Sequence, residues 1–499
     1  MKLFFLFIFA LFFVCSQAQT TAKTLAKSIT ETTELVKAQL DILEKDSDLK
    51  NASIGFIAID IKSGENVAEL NPDMSLVPAS VQKVLTTATA LELFGAGHRF
   101  KTTIEYTGNI DTEGVLHGNI YIRGGGDPTL GSKYFDNYWS SPDFMQTWVD
   151  SIKKAGIKSV KGKIVGDDSV FPLPVVPGSW MWSDIGNYFG ASPCGLTIYD
   201  NTFEIIFSSG PNHGDSTWVD SVVPPMPGLI LDNFVKASNE SADNAYIYGA
   251  PFSNYRIATG TIPKGKDHFN VRASMPDPAL YAATELQNRL VAAGVSCTAE
   301  PSTKRQMRLD KIIDTLPGKK LVVSSSPSLI QIINQTNMIS YNLYAEHLLY
   351  LIGLKKYGSG EAFSGSKAIE AYWDSKGINT KGMYVNDGCG LSRMDVVTAR
   401  QLAGVLKYMK SSGNSEAFFK SLPVAGKSGT MSSFGDGTTA EGRLVAKTGS
   451  MTRVRSYAGY VKTTSGKEIV FAFIVNNYNC SSGKMKTKME KVLVTLSQK

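Results

Sequence analysis

The chain is 499 residues long, with 43% hydrophobic and 19% charged residues, an ordinary globular composition. That length exceeds what one hydrophobic core usually supports, so two or three domains are expected. Fifty-one Lys and Arg against 45 Asp and Glu leave a formal charge of +6 with no dense basic run, so a nucleic-acid partner is not indicated and only some attraction to an anionic wall or membrane surface is supported.

Met1 to Ala18 opens with Lys2, runs apolar from Leu3 to Val14 and closes on Ser16-Gln17-Ala18. The run is too short for a comfortable membrane span and ends in small residues, so residues 1–18 read as a secretory signal peptide cleaved after Ala18. A lipoprotein signal at Cys15 is disfavoured, because bulky Val14 stands where a small residue is usual. The mature chain is expected outside the cytoplasm, in the periplasm, with no second hydrophobic span.

Thr30 to Leu49 carries Leu35, Val36, Leu40, Ile42 and Leu43 and reads as an amphipathic helix. Ser53 to Ile61 alternates into a strand, turns at Lys62-Ser63-Gly64-Glu65 and returns over Asn66 to Leu70 as a hairpin. After Pro78, which disfavours helix at the residue before it, Ser80 opens a helix marked by Val84, Leu85, Ala88, Leu91 and Leu93. Lys83 follows one turn on, so its amine reaches the serine hydroxyl on the same face. That is a serine nucleophile with a lysine base. The spacing does not select Ser80 alone, because Ser47/Lys50, Ser151/Lys154, Ser364/Lys367 and Ser481/Lys484 repeat it, and a helix N-cap beside a lysine gives the same pattern.

From about Phe100 the chain turns to short alternating strands, Thr103 to Tyr106 and Asn119 to Arg123, running into Gly124-Gly125-Gly126-Asp127-Pro128. The glycine run lacks the lysine and serine of a phosphate loop and reads as a turn. Strands and loops continue through Gly166 to Phe171 and an aromatic stretch from Trp180 to Phe189, read as loop packing. Helical spacing resumes at Ser326 with Leu329, Ile330, Ile333, Leu343, Leu348 and Leu351. The end is a β meander, Arg443 to Thr448, Ser456 to Thr463 and Glu468 to Asn476, closed by a helix from Met485 to Leu496.

Cys194, Cys297, Cys389 and Cys480 lie far apart without paired metal spacing and read as structural thiols. The five histidines, His98, His117, His213, His268 and His347, never form His-Glu-x-x-His, which argues against a zinc hydrolase. His347, on a predicted helix, reads as packed or surface.

The C-terminal half selects Ser80 from its look-alikes. Ser340-Tyr341-Asn342 sits in helical context, and a strand ends in Lys447-Thr448-Gly449-Ser450. With Ser80-x-x-Lys83 these form, in order, the three-part set of penicillin-binding proteins and serine β-lactamases. The wider match resembles the D-alanyl-D-alanine carboxypeptidase/endopeptidase family, the S13 peptidases or low-molecular-mass class C penicillin-binding proteins. It covers Val77-Pro78-Ala79-Ser80, Gly118 to Pro128, Asp387-Gly388-Cys389-Gly390-Leu391-Ser392-Arg393, Leu422-Pro423-Val424-Ala425-Gly426 and Ser456-Tyr457-Ala458-Gly459-Tyr460. The long interval from Ser80 to Ser340 agrees with extra domains between the first two motifs.

The resemblance implies that Ser80 attacks the carbonyl between two D-alanines to form an acyl-enzyme that water hydrolyses. Lys83 would take the serine proton, Ser340 would relay a proton to the leaving amine, and Asn342 would hold the substrate amide. Lys447 would keep the site positive, and Thr448 and Ser450, flanking Gly449 on the substrate-binding strand, would hold the terminal carboxylate. Backbone N–H groups of Ser80 and Ser450 would form the oxyanion hole. It also suggests that Asp184, Phe189 and Arg393 contact an amine-bearing diamino acid at the peptide's third residue. Two positions depart from the family pattern: Tyr341 replaces the usual aspartate, and Cys389 stands in place of serine. Lys427-Ser428-Gly429 reads as a loop near the cleft, and Glu69, on the hairpin before the nucleophile, is misplaced for a deacylating glutamate.

For Lys83 to act as base near neutral pH, its pKa must fall from about 10.4 to about 7 or 8, a cost of about 4 kcal/mol. A second ammonium at about 4 Å supplies about 4 kcal/mol at an effective dielectric of 20 but only about 1 in bulk water, so Lys447 suffices if the cleft is partly dry.

The expected fold is α/β: a catalytic domain with helices against an antiparallel sheet, in two parts at 19–98 and 303–499, split by one or two β-rich domains at 99–302. Expected partners are peptidoglycan stem peptides and, as covalent inhibitors, β-lactams, with no cofactor and no metal. The rivals are a β-lactamase-like hydrolase and a non-catalytic wall-binding or scaffold protein.

Overall fold

The computed structural model describes residues 33–135, 144–314 and 316–498. The expected signal peptide falls outside them. The chain divides into two compact units, one drawn from Met1–Val84, Gly377–Met383 and Val396–Lys499, the other from Leu85–Lys376 and Tyr384–Asp395. The fold is mixed α/β, with an antiparallel sheet flanked by helices.

The first unit is built on five antiparallel strands in the order Leu444–Met451, Val454–Lys462, Glu468–Asn476, Ser53–Asp60, Asn66–Leu70. The N-terminal hairpin therefore pairs directly with the C-terminal meander, Ser53 opposite Asn476 and Asp60 opposite Ile469. Glu468–Asn476 is buried at every position after its first, as expected for a strand covered on both faces. On one face Phe56, Phe471, Phe473 and Val475 pack against Val36, Leu40 and Leu43 of a helix over 33–44 and Met489, Val492 and Leu496 of the helix Ser482–Leu496. The helix Ala399–Ser411 contacts the same central strands, its start capped by the Thr398 and Gln401 side chains.

In the second unit a five-stranded mixed sheet runs Ser302–Thr303, Ile164–Asp167, Ile120–Arg123, Lys101–Tyr106, Lys319–Ser325. Its core is completed by Met145, Trp148 and Ile152 of the helix Phe144–Lys154 and by Ala282, Leu286 and Leu290 of Pro278–Ala292. Two smaller sheets, centred on Thr202–Ser209 and Tyr255–Pro263, share a core of Phe203, Ile205, Phe207, Ile247, Ala258 and Ile262. The unit also holds the helices Leu329–Met338, Asn342–Tyr357 and Ala362–Ser375. Gly124 to Pro128 bends at Gly126, where φ is 79°, as expected of a turn, and Gly124 and Gly125 lie so close to the backbone of Gly195 and Lys101 that a Cβ at either would meet a carbonyl oxygen at 2.1 or 2.3 Å. The glycine run thus serves close chain crossing.

Candidate active site

In the first unit the chain enters a 3₁₀ turn, Ala79–Gln82, that passes directly into the helix Lys83–Phe94. Ala79 is held at a φ of 48°. Asn476 fixes the approach, its amide donating to the Val77 carbonyl at 3.0 Å and accepting from the Val77 N–H at 2.8 Å. Ser456 Oγ, on the neighbouring strand, donates to the Pro78 carbonyl. The turn thereby presents Ser80 with Lys83 Nζ 3.0 Å from its Oγ. Lys83 is fully buried.

The strand Leu444–Met451 runs past this turn and carries Lys447, Thr448, Gly449 and Ser450 within it, ending three residues beyond the Thr448 expected of the meander. A Cβ on Gly449 would stand 2.6 Å from the Pro78 oxygen and 3.0 Å from the Val81 nitrogen, so only glycine admits this approach. Lys447 is fully buried, and its Nζ donates to the Thr448 carbonyl at 2.8 Å. Burial first, and then the charge of Lys83, holds its ammonium well below the usual lysine range. Thr448 Oγ1 donates to Thr430 Oγ1 at 2.9 Å, which attaches the loop following Lys427-Ser428-Gly429 to the strand. Ser450 is exposed. The unit thus brings together a serine hydroxyl, two buried lysines and a half-open strand edge, the parts of an acyl-transfer site. Glu69 pairs with Arg400 on the surface.

In the second unit Ser340 and Asn342 stand at the break between the helices Leu329–Met338 and Asn342–Tyr357, with Ser340 at a φ of 62°. Asn342 Nδ2 donates to the Phe189 carbonyl at 2.8 Å, joining the second motif to the aromatic stretch. That stretch folds as a short helix, Trp182–Ile185, and a 3₁₀ turn, Tyr188–Gly190. Half-burial raises the Asp184 carboxyl, opposed by a hydrogen bond from Ser183 and by the charge of Arg393, which brings these two predicted residues into one electrostatic neighbourhood.

Tyr341 is buried, its ring 4.7 Å from that of Tyr344 and 5.1 Å from that of Tyr134. Tyr344 donates to Asp200 Oδ1 at 2.7 Å, while the Arg272 guanidinium lies 3.9 Å over the ring of Tyr188 and 3.3 Å from the Tyr134 hydroxyl. Burial pushes the Asp200 carboxyl up to about 6. Sequence reasoning missed this brace because its members are scattered from Tyr134 to Tyr344 with no common spacing. Asn476 was missed for the same reason.

Glu346, Asp387 and Cys389 bring potential ligand atoms within 4.8 Å of one another. Both Asp387 oxygens and Glu346 Oε1 are committed locally: Asp387 accepts from the N–H groups of Cys389, Gly390 and Ser392 and from Trp180 Nε1, and Glu346 Oε1 accepts from the Gly388 N–H. These bonds brace the loop from Asp387 to Ser392. Cys389 itself is fully buried beside Trp180 and Ala345, and the four cysteines among the described residues form no disulfide. His347 is fully buried, its Nδ1 against the Gly126 carbonyl and its Nε2 against Thr197.

A sequence model described as the D-Ala-D-Ala carboxypeptidase 3 (S13) family matches residues 36–499. The chain is 28% identical over 460 residues to a D-alanyl-D-alanine carboxypeptidase of Actinomadura sp. (strain R39), covering 90% of this chain and 82% of that one. It is 25% identical over 446 residues to D-alanyl-D-alanine carboxypeptidase DacB of Haemophilus influenzae, covering 88% of each. Among solved structures, that of penicillin binding protein 4 (dacB) from Haemophilus influenzae superposes with a TM-score of 0.77 at 24% identity, covering 93% of this chain and 97% of that one.

Proposed function

The chain belongs to the D-Ala-D-Ala carboxypeptidase 3 (S13) family, and on that premise we propose that it is a serine-type, penicillin-binding D-Ala-D-Ala carboxypeptidase that trims peptidoglycan stem peptides or cuts the equivalent bond in cross-links. The observation that carries the reading is the 3.0 Å contact between Lys83 Nζ and Ser80 Oγ, with a second buried lysine whose ammonium is destabilised by burial and by Lys83.

The chemistry is a double displacement. Ser80 Oγ attacks the carbonyl carbon of the penultimate D-alanine while its proton passes to Lys83. The tetrahedral oxyanion takes hydrogen bonds from the N–H groups of Ser80 and Ser450, each donor worth about 3 to 4 kcal/mol. Collapse expels the terminal D-alanine, whose amine receives a proton through Ser340. Water then attacks the Ser80 ester and regenerates the hydroxyl. To Asn342 we assign the substrate amide, to Thr448 and Ser450 the terminal carboxylate, and to Lys447 the field that keeps Lys83 a competent base. Every group in this scheme is a side chain or backbone amide of the chain itself.

Asp184, Phe189 and Arg393 are proposed to read the third residue of the stem peptide. Asp184 would pair with the side-chain amine of a diamino acid. The proposed setting is extracytoplasmic, following removal of residues 1–18. No helix among the described residues is long and apolar enough to cross a membrane. We place the inserted domains after the first motif, opening near residue 99.

Intact-protein mass after incubation with a penicillin, beside a Ser80→Ala control, tests the assignment. A stable adduct on the wild type alone is the expected result. A short-lived adduct with rapid drug loss would move the protein to the β-lactamases. No adduct on folded protein would leave only a scaffold.

A further inference from the structure

The segment 304–320 of the second unit reverses the usual placement of polar and apolar side chains. Leu309, Ile312, Ile313 and Leu316 are 60%, 44%, 83% and 53% exposed, Leu309 closing the short helix Lys304–Leu309 and the other three following it outside any helix. Asp314, between them, points inward. Its Oδ2 accepts from Tyr121 OH at 2.7 Å, Asn119 Nδ2 at 2.7 Å and Thr107 Oγ1 at 2.9 Å. The Ile312 N–H donates to the Met307 carbonyl at 2.8 Å, and Lys311 adopts a φ of 57°. The aliphatic side chains therefore face outward on a turn that the sheet holds in place.

Basic residues surround them. Residues 304–320 contain six Lys and Arg against two Asp. Two of the six are committed locally, Lys304 to Asp167 and Arg305 to Asp277. Arg308, Lys311 and Lys320 are exposed and have no ion-pair partner among the described residues. Beside the turn lies a cavity of about 700 Å³ lined in part by Phe171, Leu173, Met307, Arg308, Lys311 and Ile312, with an apolar floor and a cationic rim.

We propose that this face docks the enzyme on an anionic phospholipid surface, the aliphatic side chains entering the interface and the basic ones meeting the headgroups. The chemistry favours lipid over protein: the exposed apolar residues are all aliphatic and the free charges include lysines. Protein interfaces favour aromatic residues and deplete lysine, whereas membrane surfaces take Leu and Ile flanked by Lys and Arg. The net charge of +6 adds the same sign of attraction. The inference is independent of the catalytic assignment.

The test is co-sedimentation of the full mature chain with vesicles of phosphatidylcholine alone or mixed with phosphatidylglycerol, at low and high salt. The wild type is expected to pellet with the anionic vesicles and to be released by salt. The double variants Ile312→Ser/Ile313→Ser and Arg308→Glu/Lys311→Glu should each bind at least about ten-fold more weakly while reacting with fluorescent penicillin at the wild-type rate. Absence of pelleting at low salt, or unchanged pelleting of both variants, overturns the proposal. So does concentration-dependent self-association in light scattering that the Ile312→Ser/Ile313→Ser variant abolishes without any vesicle binding, since the face would then serve a second copy of the chain.

Discussion

Lys447 and Lys83 are both fully buried in the same unit, and the charge of Lys83 adds to burial in holding Lys447 well below the usual lysine range. A lysine depressed in this way is neutral in the folded state over a range where the unfolded chain is still protonated. Folding therefore sheds a proton, and stability rises with pH from the folded pKa up to about 10.4. Lys447→Met should raise stability at pH 7, because the apolar side chain has no ammonium to bury or discharge on folding. The advantage should shrink toward pH 10, and acylation by penicillin should slow at least about 100-fold. Thermal melts at pH 7 and 9.5 with stopped-flow acylation check both parts; a variant less stable than the wild type at pH 7 counts against the assignment.

Gly449→Ala should act through the nucleophile turn. The added methyl meets Pro78 and Val81 backbone atoms, which cannot rotate away, so the strand or the turn must move. Overpacking of this kind costs about 1 to 3 kcal/mol, and acylation should slow about ten-fold or more as Ser80 shifts from its lysine. A crystal structure of the variant with an undisplaced Ser80 and full activity would contradict this.

The Tyr341 ring, not its hydroxyl, makes the contacts with Tyr134 and Tyr344. Tyr341→Phe should be near neutral, whereas Tyr341→Ala should destabilise by about 3 to 5 kcal/mol and loosen the Ser340 to Asn342 segment. Urea unfolding of the two variants, read beside peptide turnover, separates them.

Asp200 is raised to about 6 by burial. Its folded form holds a proton that the unfolded chain releases near pH 3.9, so its share of stability falls as pH climbs from about 4 to 6, by up to about 3 kcal/mol. Asp127 and Asp168, also raised to about 6, act in the same direction, and His347, lowered to about 4, acts in the opposite one. The difference between wild type and Asp200→Asn is therefore the informative quantity. It should grow in favour of the variant between pH 4 and 6 and stay flat above pH 7.5 in urea melts.

Asp184→Ala should weaken cleavage of muropeptides carrying a diamino acid while sparing acylation by penicillin, which has no such side chain. Equal loss of both reactions would remove Asp184 from the subsite.

The strands Asn66–Leu70 and Glu468–Asn476 agree with their alternation or apolar runs to the residue, because a strand buried against a core writes its burial into the sequence. Ser80 and Lys83 were legible for a different reason: one helical turn fixes their separation locally. The strand Lys319–Ser325 was not legible, since its exposed or half-exposed positions and paired lysines show no core-facing pattern, and only pairing with Lys101–Tyr106 makes it a strand. Nor were Asn476 and the Tyr341 brace, whose partners meet only once the chain is folded. Local geometry left a trace in the sequence; long-range contact did not.

The pairing of Ser53–Asp60 with Glu468–Asn476 also sets when the hydroxyl can become reactive during biosynthesis. The strand beside Ser80, the lysine that faces its base and the asparagine that pins its turn all lie far downstream of the serine in the chain. A nascent or truncated chain has the nucleophile without its surroundings. Joining Ser53–Asp60 to Glu468–Asn476 is a contact of high sequence separation and slow to form. The hydroxyl should therefore stay silent until those downstream strands have been made and paired, and proteolysis that removes them should extinguish activity while leaving the second unit intact.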